Sequence, residues 1–440
     1  MRIHRQDGMG IVSLFSGIAS IDRGLLRHMS EEQILLFCEV NPDARKVLQA
    51  AHPGVPIHED VRTLKRLPGG STIVTAGAPC TDLSSLGECQ GIHGPSSSLI
   101  DHVFRLVESH EGVHTVVLEN VPNILSLHGG QGMHHVSRRL VLLGFEFAYR
   151  VLDLLSFGLP QRRRRFLLVA RRTGSEAEGV PWWMLLDRPY SCSATGGRAP
   201  TFEQVERDGF AGFYITEGKR GSGFRSGVFP TLKCNGNGLR LTNGFNPHAV
   251  MLPHPRKKDG RRILKMHPDD AEVAQGIEAG LTEPAGSFPR RFARLGNTCP
   301  VPFAEWVGLG LSGKVSGETE SSPPPPIREA DLESMQGSAW PLCAAVDRTG
   351  RVLEYARSEA ASEAFLRHMD APRRPGLLRA EESLLVSLRS LKGYLRRAEA
   401  GRPAMPEWAL ELLRDEVRRI EAGELPAAAV QRTDRARGCR

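Results

Sequence analysis

Residues 11–20 read IVSLFSGIAS, an apolar run that passes directly into a turn of small residues. The aliphatic residues at 11–14 predict a buried strand, and the small residues around Gly17 predict a tight turn. Beyond the turn, the pattern predicts a helix that reaches about Met29 and contains Gly24. Such a turn lets backbone N–H groups and the start of a helix approach a ligand. The run therefore predicts the first strand, turn and helix of an open α/β sheet.

From Met1 to about Arg172, apolar runs alternate with helix-like segments, which is the pattern of a doubly wound, mostly parallel sheet. Acidic residues follow two of the predicted strands: Glu39 comes after the second, and Asp60 closes a short third one. Ligands gather at the carboxyl ends of parallel strands, and Glu39 has the spacing at which nucleoside-binding folds place an acid on ribose hydroxyls. These strand ends predict a nucleoside pocket. The later strands are predicted at 72–74, 115–118 and 166–170.

A thiol and a carboxylate follow two further strands of this sheet. Cys80 lies in the run TAGAPCTDLS at 75–84, and Glu119 comes directly after the strand at 115–118. A lone cysteine is more often a small buried hydrophobic residue, and a lone glutamate is more often a surface or helix-capping acid. Here Gly and Pro form a turn around the thiol. The acid ends a buried strand, where burial of a carboxylate is costly and therefore indicates a function. The pair indicates covalent chemistry on an electron-poor ring.

Taken in order, these motifs resemble those of the DNA cytosine-5 methyltransferase family of bacterial or phage type. The run LFSG at 14–17 is similar to its S-adenosylmethionine loop, APC at 78–80 to its nucleophile loop, and ENV at 119–121 to its Glu-Asn-Val triplet. QRRRR at 161–165 resembles its Gln-x-Arg-x-Arg element, and LGNT at 295–298 opens a run similar to its last motif. The resemblance covers roughly residues 11–311 and implies the α/β fold of class I S-adenosylmethionine-dependent methyltransferases, with that cofactor.

The resemblance also implies a role for each matching residue. Cys80 would add to carbon 6 of cytosine, and Glu119 would neutralise the charge that this addition places on the ring. Arg163 and Arg165 are assigned to the catalytic site, and Asn120 is expected to brace the loop that carries the thiol. Glu39 and Asp60 are expected to contact the ribose and the adenine. The implied cofactor-binding residues are Phe15, Ser16, Gly17, Ile18, Glu39, Val40, Asp60, Val61, Pro79 and Asn297.

The basic run at 161–165 would, on its own, be typical of a solvated turn. It is followed at once by the strand-like run at 166–170, which predicts a position on the lip of the core. Side chains alternate along an extended chain, so Arg163 and Arg165 would face the site while Arg162 and Arg164 face phosphate.

The chain departs from the family pattern at three places. Ser13 stands where members usually carry Asp, the second Gly near Ala19 or Ser20 is missing, and Thr81 replaces the commoner Gln or Asn. Cofactor affinity is therefore expected to differ, while the reacting groups are kept.

A cytosine inside a duplex does not present carbon 6 to a deep pocket, so the nucleotide must be rotated out. The segment after the thiol, from Ser84 and Ser85 through the glycine-rich run 87–94, resembles the mobile loop that closes over DNA in this family. Gly87, Gly91 and Gly94 would serve as hinges of this loop. The alternative is an ordinary surface loop.

Composition sets the broad class. The 440 residues include 40% hydrophobic and 24% charged residues, as is ordinary for soluble proteins. No apolar run suits a membrane span or a signal peptide, which predicts a cytoplasmic protein that does not contact membranes. The eight cysteines contain no Cys-x-x-Cys pair, which argues against a disulfide scaffold and against a structural metal. A net charge of +7 modestly favours a polyanionic partner.

Five segments are expected along the chain. Residues 1–175 form the catalytic and cofactor-binding core, 176–262 an inserted target-recognition domain, and 263–312 a return segment that completes the core. The recognition segment mixes aromatic and basic residues, as surfaces that read bases and phosphates do. The return segment is expected to be helix-like from 263 through Gly276, with a further helix near 301–307. Residues 313–330 read as a Pro-rich linker, and 331–440 as a helical C-terminal extension of unknown role.

The main hypothesis is an enzyme that methylates carbon 5 of cytosine in a specific short sequence of double-stranded DNA, in restriction-modification or as a solitary or phage-type enzyme. The alternatives are a tRNA cytosine-5 methyltransferase and a non-catalytic DNA-binding relative. The sizeable segment between Arg172 and Ile263 favours DNA, and the presence of Cys80 and Glu119 favours catalysis. The protein is expected to be a monomer. A role in restriction-modification would imply a cognate restriction endonuclease that acts on the same DNA.

Overall fold

The computed structural model describes residues 10–28, 33–78, 99–157, 159–172, 211–215, 222–229, 231–232, 249–253, 261–312, 326–355, 388–399 and 407–425. Its strands are β1 (Gly10–Leu14), β2 (Ile34–Cys38), β3 (Ile57–His58), β4 (Ser71–Ala76), β5 (Thr115–Asn120), β6 (Phe145–Asp153), β7 (Arg164–Arg172), β8 (Ala211–Ile215), β9 (Ser222–Ser226), β10 (Ala249–Pro253), β11 (Arg261–Lys265), β12 (Arg328–Asp331), β13 (Cys343–Val346) and β14 (Arg351–Glu354). Its helices are α1 (Ser20–Leu26), α2 (Pro42–Ala51), α3 (Leu99–Glu108), α4 (Gln131–Leu142), α5 (Pro268–Val273), α6 (Phe288–Gly296), α7 (Val301–Leu311), α8 (Leu388–Glu399) and α9 (Glu407–Glu421).

Ten of the described strands form a central sheet in the order β12-β14-β13-β6-β7-β5-β4-β1-β2-β3. The half from β5 to β3 is parallel, whereas β7, β6 and the three C-terminal strands pair antiparallel. The expectation of a mostly parallel sheet is therefore wrong for the second half. The physical reason lies in the connections, because β6 and β7 are joined by about ten residues and a short connection returns the chain antiparallel. The α/β class is confirmed, with a mixed sheet.

Helices cover both faces of this sheet, as expected for a doubly wound core. Val116 and Leu118 of β5 point to one face and pack in the cluster that holds α3 and α4. Val117, between them, points to the other face and packs with Leu25 of α1 and Phe303 of α7. This alternation is the two-residue period of a strand buried on both sides.

The return segment differs in part from its predicted helical pattern. Residues 261–265 form strand β11, and the helix begins only at Pro268, where the imidazole of His267 accepts a hydrogen bond from Asp269 N. Proline suits the first turn of a helix because it has no N–H to leave unpaired. The predicted helix near 301–307 is present as α7. Asn297 caps the end of α6.

The segment after the Pro-rich run also differs from expectation, because 328–354 forms strands where helices were expected. β13 pairs with β6, and β14 and β12 continue the sheet outward. The turn between β13 and β14 is held by Asp347, whose carboxylate accepts from the N–H groups of Thr349 and Arg351. An apolar run, an Asp-Arg-Thr-Gly turn and an alternating run form a recognisable hairpin pattern.

A second, four-stranded antiparallel sheet has the order β11-β10-β8-β9. Its strands lie in the chain between β7 and α5. The helices predicted near the C-terminus are present as α8 and α9, and they pack on this sheet: Ala211 of β8 is buried with Leu391 and Tyr394 of α8 and Leu413 of α9. None of the helices in the described part of the chain combines the length and apolar character of a membrane span.

Candidate active site

The carboxyl ends of β1, β4 and β5 converge at one edge of the central sheet. Gly77, just after β4, marks the meeting point, since a Cβ built on it would lie 3.5 Å from Oε2 of Glu119 and 3.7 Å from the carbonyl oxygen of Phe15. A Cβ at this position would make ordinary van der Waals contacts with both the acid and the turn after β1. Pro79 and Cys80 follow within three residues and lie outside the described residues.

Glu119 is buried at the end of β5, and its Oε1 lies 2.9 Å from Nε of Arg165. The two meet because β5 and β7 are antiparallel neighbours with Glu119 opposite Leu167, so that Arg165 is two residues along the facing strand. Burial raises the pKa of Glu119, while the charges of Arg165 and Arg163 oppose that rise. A carboxyl group in this setting can hold a proton and give it to a base that comes within hydrogen-bonding distance.

Arg163, which was assigned to the catalytic site, is fully buried. Its terminal nitrogens donate to the carbonyl oxygens of Leu232 and Gly296, each at 2.9 Å, and to that of Thr298. Arg163 therefore links the core to the insertion and to the return segment. The predicted alternation is otherwise present, because Arg162 and Arg164 are exposed and Arg165 is buried.

Asn120 closes the same strand. Its Oδ1 accepts a hydrogen bond from Val121 N at 2.6 Å, which fixes the exit of the chain from β5. The brace expected between Asn120 and the Pro79-Cys80 loop involves residues outside the described part of the chain and stays a prediction.

The turn after β1 is strained. Phe15 and Ala19 adopt φ of 53° and 58°, and Gly17 between them has φ of 57°. The left-handed region costs a residue with a side chain roughly 1–2 kcal/mol, and such strain collects where a loop must present its backbone to a ligand. Ser16 anchors the turn, with its hydroxyl donating to the carbonyl oxygen of Ser13.

Glu39 holds this turn from the end of β2. Its Oε2 accepts from Gly17 N at 2.8 Å, and its Oε1 accepts from Asn41 N at 2.7 Å. Burial raises the pKa of Glu39, and the two hydrogen bonds act against the rise. Val40, next to it, is 65% exposed, which is unusual for a valine and leaves an apolar surface beside a buried carboxylate.

The other predicted cofactor residues are distributed unevenly around this crevice. Asp60 uses both carboxylate oxygens on Arg62, which lowers the pKa of Asp60. The side chain of Val61 is buried in the core, so only its backbone is available to a ligand. Ile18 belongs to the same buried cluster as Phe292 and Leu295 of α6. Asn297, at the end of α6, is exposed.

One buried acid beneath the turn was missed from the sequence. Asp22 of α1 accepts hydrogen bonds from Ser13 Oγ at 2.7 Å and from Thr75 Oγ1 at 2.8 Å, which links β1 to β4. Burial raises the pKa of Asp22. The sequence feature that could have revealed Asp22 is a charged residue on the apolar face of α1. Its partner Ser13 stands at the position where the family usually has an aspartate.

Comparisons with known proteins find relatives of this chain. The family model for C-5 cytosine-specific DNA methylases matches residues 9–200. Type II methyltransferase M2.BsuMI of Bacillus subtilis is 34% identical over 313 residues, which cover 69% of this chain and 75% of that protein. Type II methyltransferase M.MspI of Moraxella sp is 28% identical over 160 residues, covering 36% of this chain and 38% of that protein. Among solved structures, the Dnmt2 methyltransferase of S. pombe aligns with a TM-score of 0.48 at 15% identity, over 70% of this chain and 99% of that one.

Proposed function

This chain belongs to the C-5 cytosine-specific DNA methylase family and is a DNA cytosine-5-methyltransferase, and from that premise we propose its reaction and target. The methyl group of S-adenosylmethionine is transferred to carbon 5 of a cytosine that has been rotated out of a specific short double-stranded sequence. The observation that carries the proposal is the buried Glu119–Arg165 pair beside Gly77, three residues before Cys80.

Carbon 5 of cytosine is a weak nucleophile until the aromaticity of the ring is broken. We expect the Cys80 thiolate to form a bond to carbon 6, with the ring electrons moving toward N3 and being neutralised there by the proton of Glu119. The electron pair then returns to carbon 5 and takes the methyl group, with S-adenosylhomocysteine as the leaving group, and the proton on N3 returns to Glu119. Loss of the proton from carbon 5 allows the carbon–sulfur bond to break, which regenerates the thiolate.

The residues of the crevice fit S-adenosylmethionine, which supplies an electrophilic methyl group when bound. Glu39 offers carboxylate oxygens at the end of β2 for ribose hydroxyls, and the exposed side chain of Val40 offers an apolar face for the adenine. The strained turn 15–18 presents backbone groups, and Asn297 stands at the end of α6. Arg165 orients Glu119, while Arg163 holds the return segment in place.

The segment 176–262 is proposed as the target-recognition domain, inserted between β7 and the return segment. Its described strands belong to the four-stranded sheet, on which α8 and α9 pack. The packing adds C-terminal residues to the same unit, so the extension supports recognition rather than standing apart. The loop 84–94, proposed to close over the flipped nucleotide, lies outside the described residues.

The proposed setting is a monomer in the reducing cytoplasm, where a free thiol persists. The described cysteines Cys38, Cys299 and Cys343 are all free. Relatives named type II methyltransferases support a role in restriction-modification, with a cognate endonuclease cutting the same sequence when it is unmethylated.

Bisulfite sequencing of DNA from cells that express the full chain tests the proposal directly. We expect one short sequence motif to be methylated at carbon 5 of a fixed cytosine, and no methylation in cells that express Cys80→Ser. Methylation found on tRNA and absent from DNA would contradict the choice of substrate, and the insertion would then be reassigned to RNA shape recognition.

A further inference from the structure

Arg294 is a buried cation whose side chain donates no hydrogen bond to any residue that the structure describes. It stands on the last turn of α6 and is 8% exposed. Its Nε is shielded from solvent without a hydrogen-bond partner, and within the described part of the chain its terminal nitrogens donate none. By contrast, the equally buried Arg291 on the same helix contacts Asp269 and Glu272. Burying a cation without partners is costly, so unpaired donors in this position point to a ligand.

The helix directs this side chain toward the cofactor crevice. Arg290, four residues earlier, lies 3.7 Å from Asp43 at the start of α2. Residues four apart share a helix face, so Arg294 lies one turn further along the side that faces α2 and the end of β2. The charge of Arg294 lowers the pKa of Glu39, which places the two groups within electrostatic reach. These two described side chains form no direct ion pair.

The Glu39 oxygens accept from the backbone N–H groups of Gly17 and Asn41, and no hydrogen bond joins this carboxylate to Arg294. The arginine therefore remains available for a second anion at the boundary formed by the turn 15–18, Glu39 and the end of α6. The strained turn and this helix share one buried cluster, which includes Ile18, Phe292 and Leu295.

We propose that Arg294 binds the carboxylate at the amino-acid end of S-adenosylmethionine; this rests on the proposed function. That carboxylate is the one anionic group of the cofactor, and a guanidinium matches a carboxylate with two parallel hydrogen bonds. The cation also offsets the repulsion between an incoming carboxylate and the ionised form of Glu39. Arg294 thus selects the amino-acid end of the cofactor, while Glu39 selects its ribose.

The test compares two ligands that differ only at this end. Calorimetry with the full chain measures binding of S-adenosylhomocysteine, which carries the carboxylate, and of 5′-methylthioadenosine, which lacks the amino-acid end. In Arg294→Gln, the Kd for S-adenosylhomocysteine should rise about 10- to 100-fold, as for the loss of hydrogen bonds to a charged group, while the Kd for 5′-methylthioadenosine changes less than about threefold. Arg290→Gln, on the exposed start of the same helix, is the matched control and should change neither.

Arg294→Lys separates charge from geometry. It keeps the cation but loses the planar fork, so S-adenosylhomocysteine should bind with an intermediate Kd. Equal weakening of both ligands in Arg294→Gln would overturn the proposal, because it would make Arg294 a support for the pocket as a whole. Unchanged binding of S-adenosylhomocysteine would also overturn it. Wild-type protein that binds neither ligand would contradict the cofactor assignment of the proposed function, and the role of Arg294 with it.

Discussion

The Nε atom of Arg165 lies 2.9 Å from Oε1 of Glu119, and both side chains are about nine-tenths buried. Burial favours the protonated carboxyl, and the guanidinium favours the ionised one. The pair therefore sets the pH range in which Glu119 can give a proton to the substrate ring. It also fixes the direction in which the carboxyl points.

Arg165→Met should move the alkaline limb of the pH profile of kcat/KM toward higher pH. Removal of the cation takes away an interaction that lowers the pKa of Glu119, so the acid stays protonated to a higher pH, while the maximal rate falls because the carboxyl is no longer oriented. Steady-state methylation of a duplex across the pH range measures both effects. Arg162→Met, at an exposed position on the same run, is the control and should leave the profile in place. An alkaline limb that stays fixed or moves to lower pH would show that Arg165 does not lower the pKa of Glu119.

Cys80→Ser should abolish methyl transfer and leave duplex binding largely intact, because a hydroxyl is scarcely ionised at neutral pH. The measurement is turnover together with a gel-shift assay. A duplex with 5-fluorocytosine at the target should trap a covalent adduct of the wild-type protein only when S-adenosylmethionine is present. Turnover by the serine variant would rule out the covalent route.

Glu39→Ala should weaken binding of S-adenosylmethionine by roughly 1–3 kcal/mol, since it strands the ribose hydroxyls and releases the N–H of Gly17. Calorimetry of the cofactor alone is the measurement. Glu59→Ala removes an exposed acid at the end of the neighbouring strand β3 and should bind as the wild type does. Equal affinities of Glu39→Ala and the wild type would remove Glu39 from the pocket.

Gly24→Ala should lower the free energy of unfolding by about 1–3 kcal/mol, the range for overpacking a close contact. A Cβ at this position would lie 2.5 Å from Glu305 N and 2.6 Å from Ala304 Cβ, where α1 crosses α7. This clash outweighs the gain that alanine normally brings inside a helix. Gly54→Ala, which meets nothing within 4 Å, is the control in chemical denaturation. A stabilised Gly24→Ala would mean that the two helices separate easily.

Exchange of residues 182–260 for the equivalent segment of a relative should change the methylated sequence while carbon 5 of cytosine stays the modified atom. Base edges are read by the insertion, and the chemistry belongs to the core. Bisulfite sequencing of the exchanged protein gives the result. An unchanged target sequence would assign recognition to residues outside the exchanged segment.

The parallel half of the sheet could be predicted from the sequence because its strands are continuous apolar runs with a polar residue at each end, as at Glu39 and Glu119. The contacts between side chains on the antiparallel strands could not be predicted from the sequence. Arg163 and Arg165 look alike in sequence, and only the pairing of β5 with β7 and the docking of the return segment give one to Glu119 and the other to backbone carbonyls. Asp22 was missed for the same reason, since its partners lie on two different strands.

The three C-terminal strands have a consequence for how copies of this protein meet one another. Without β13, the nine-residue strand β6 would present an open row of backbone donors and acceptors to any other chain, which is the geometry from which aggregation begins. The outermost described strand in that direction is β12, only four residues long, with the charged side chains of Arg328, Glu329 and Asp331. The C-terminal strands thus replace a long exposed edge strand, β6, with a short, charged edge strand, β12. The solubility of the catalytic sheet therefore depends on a segment that is remote from the active site.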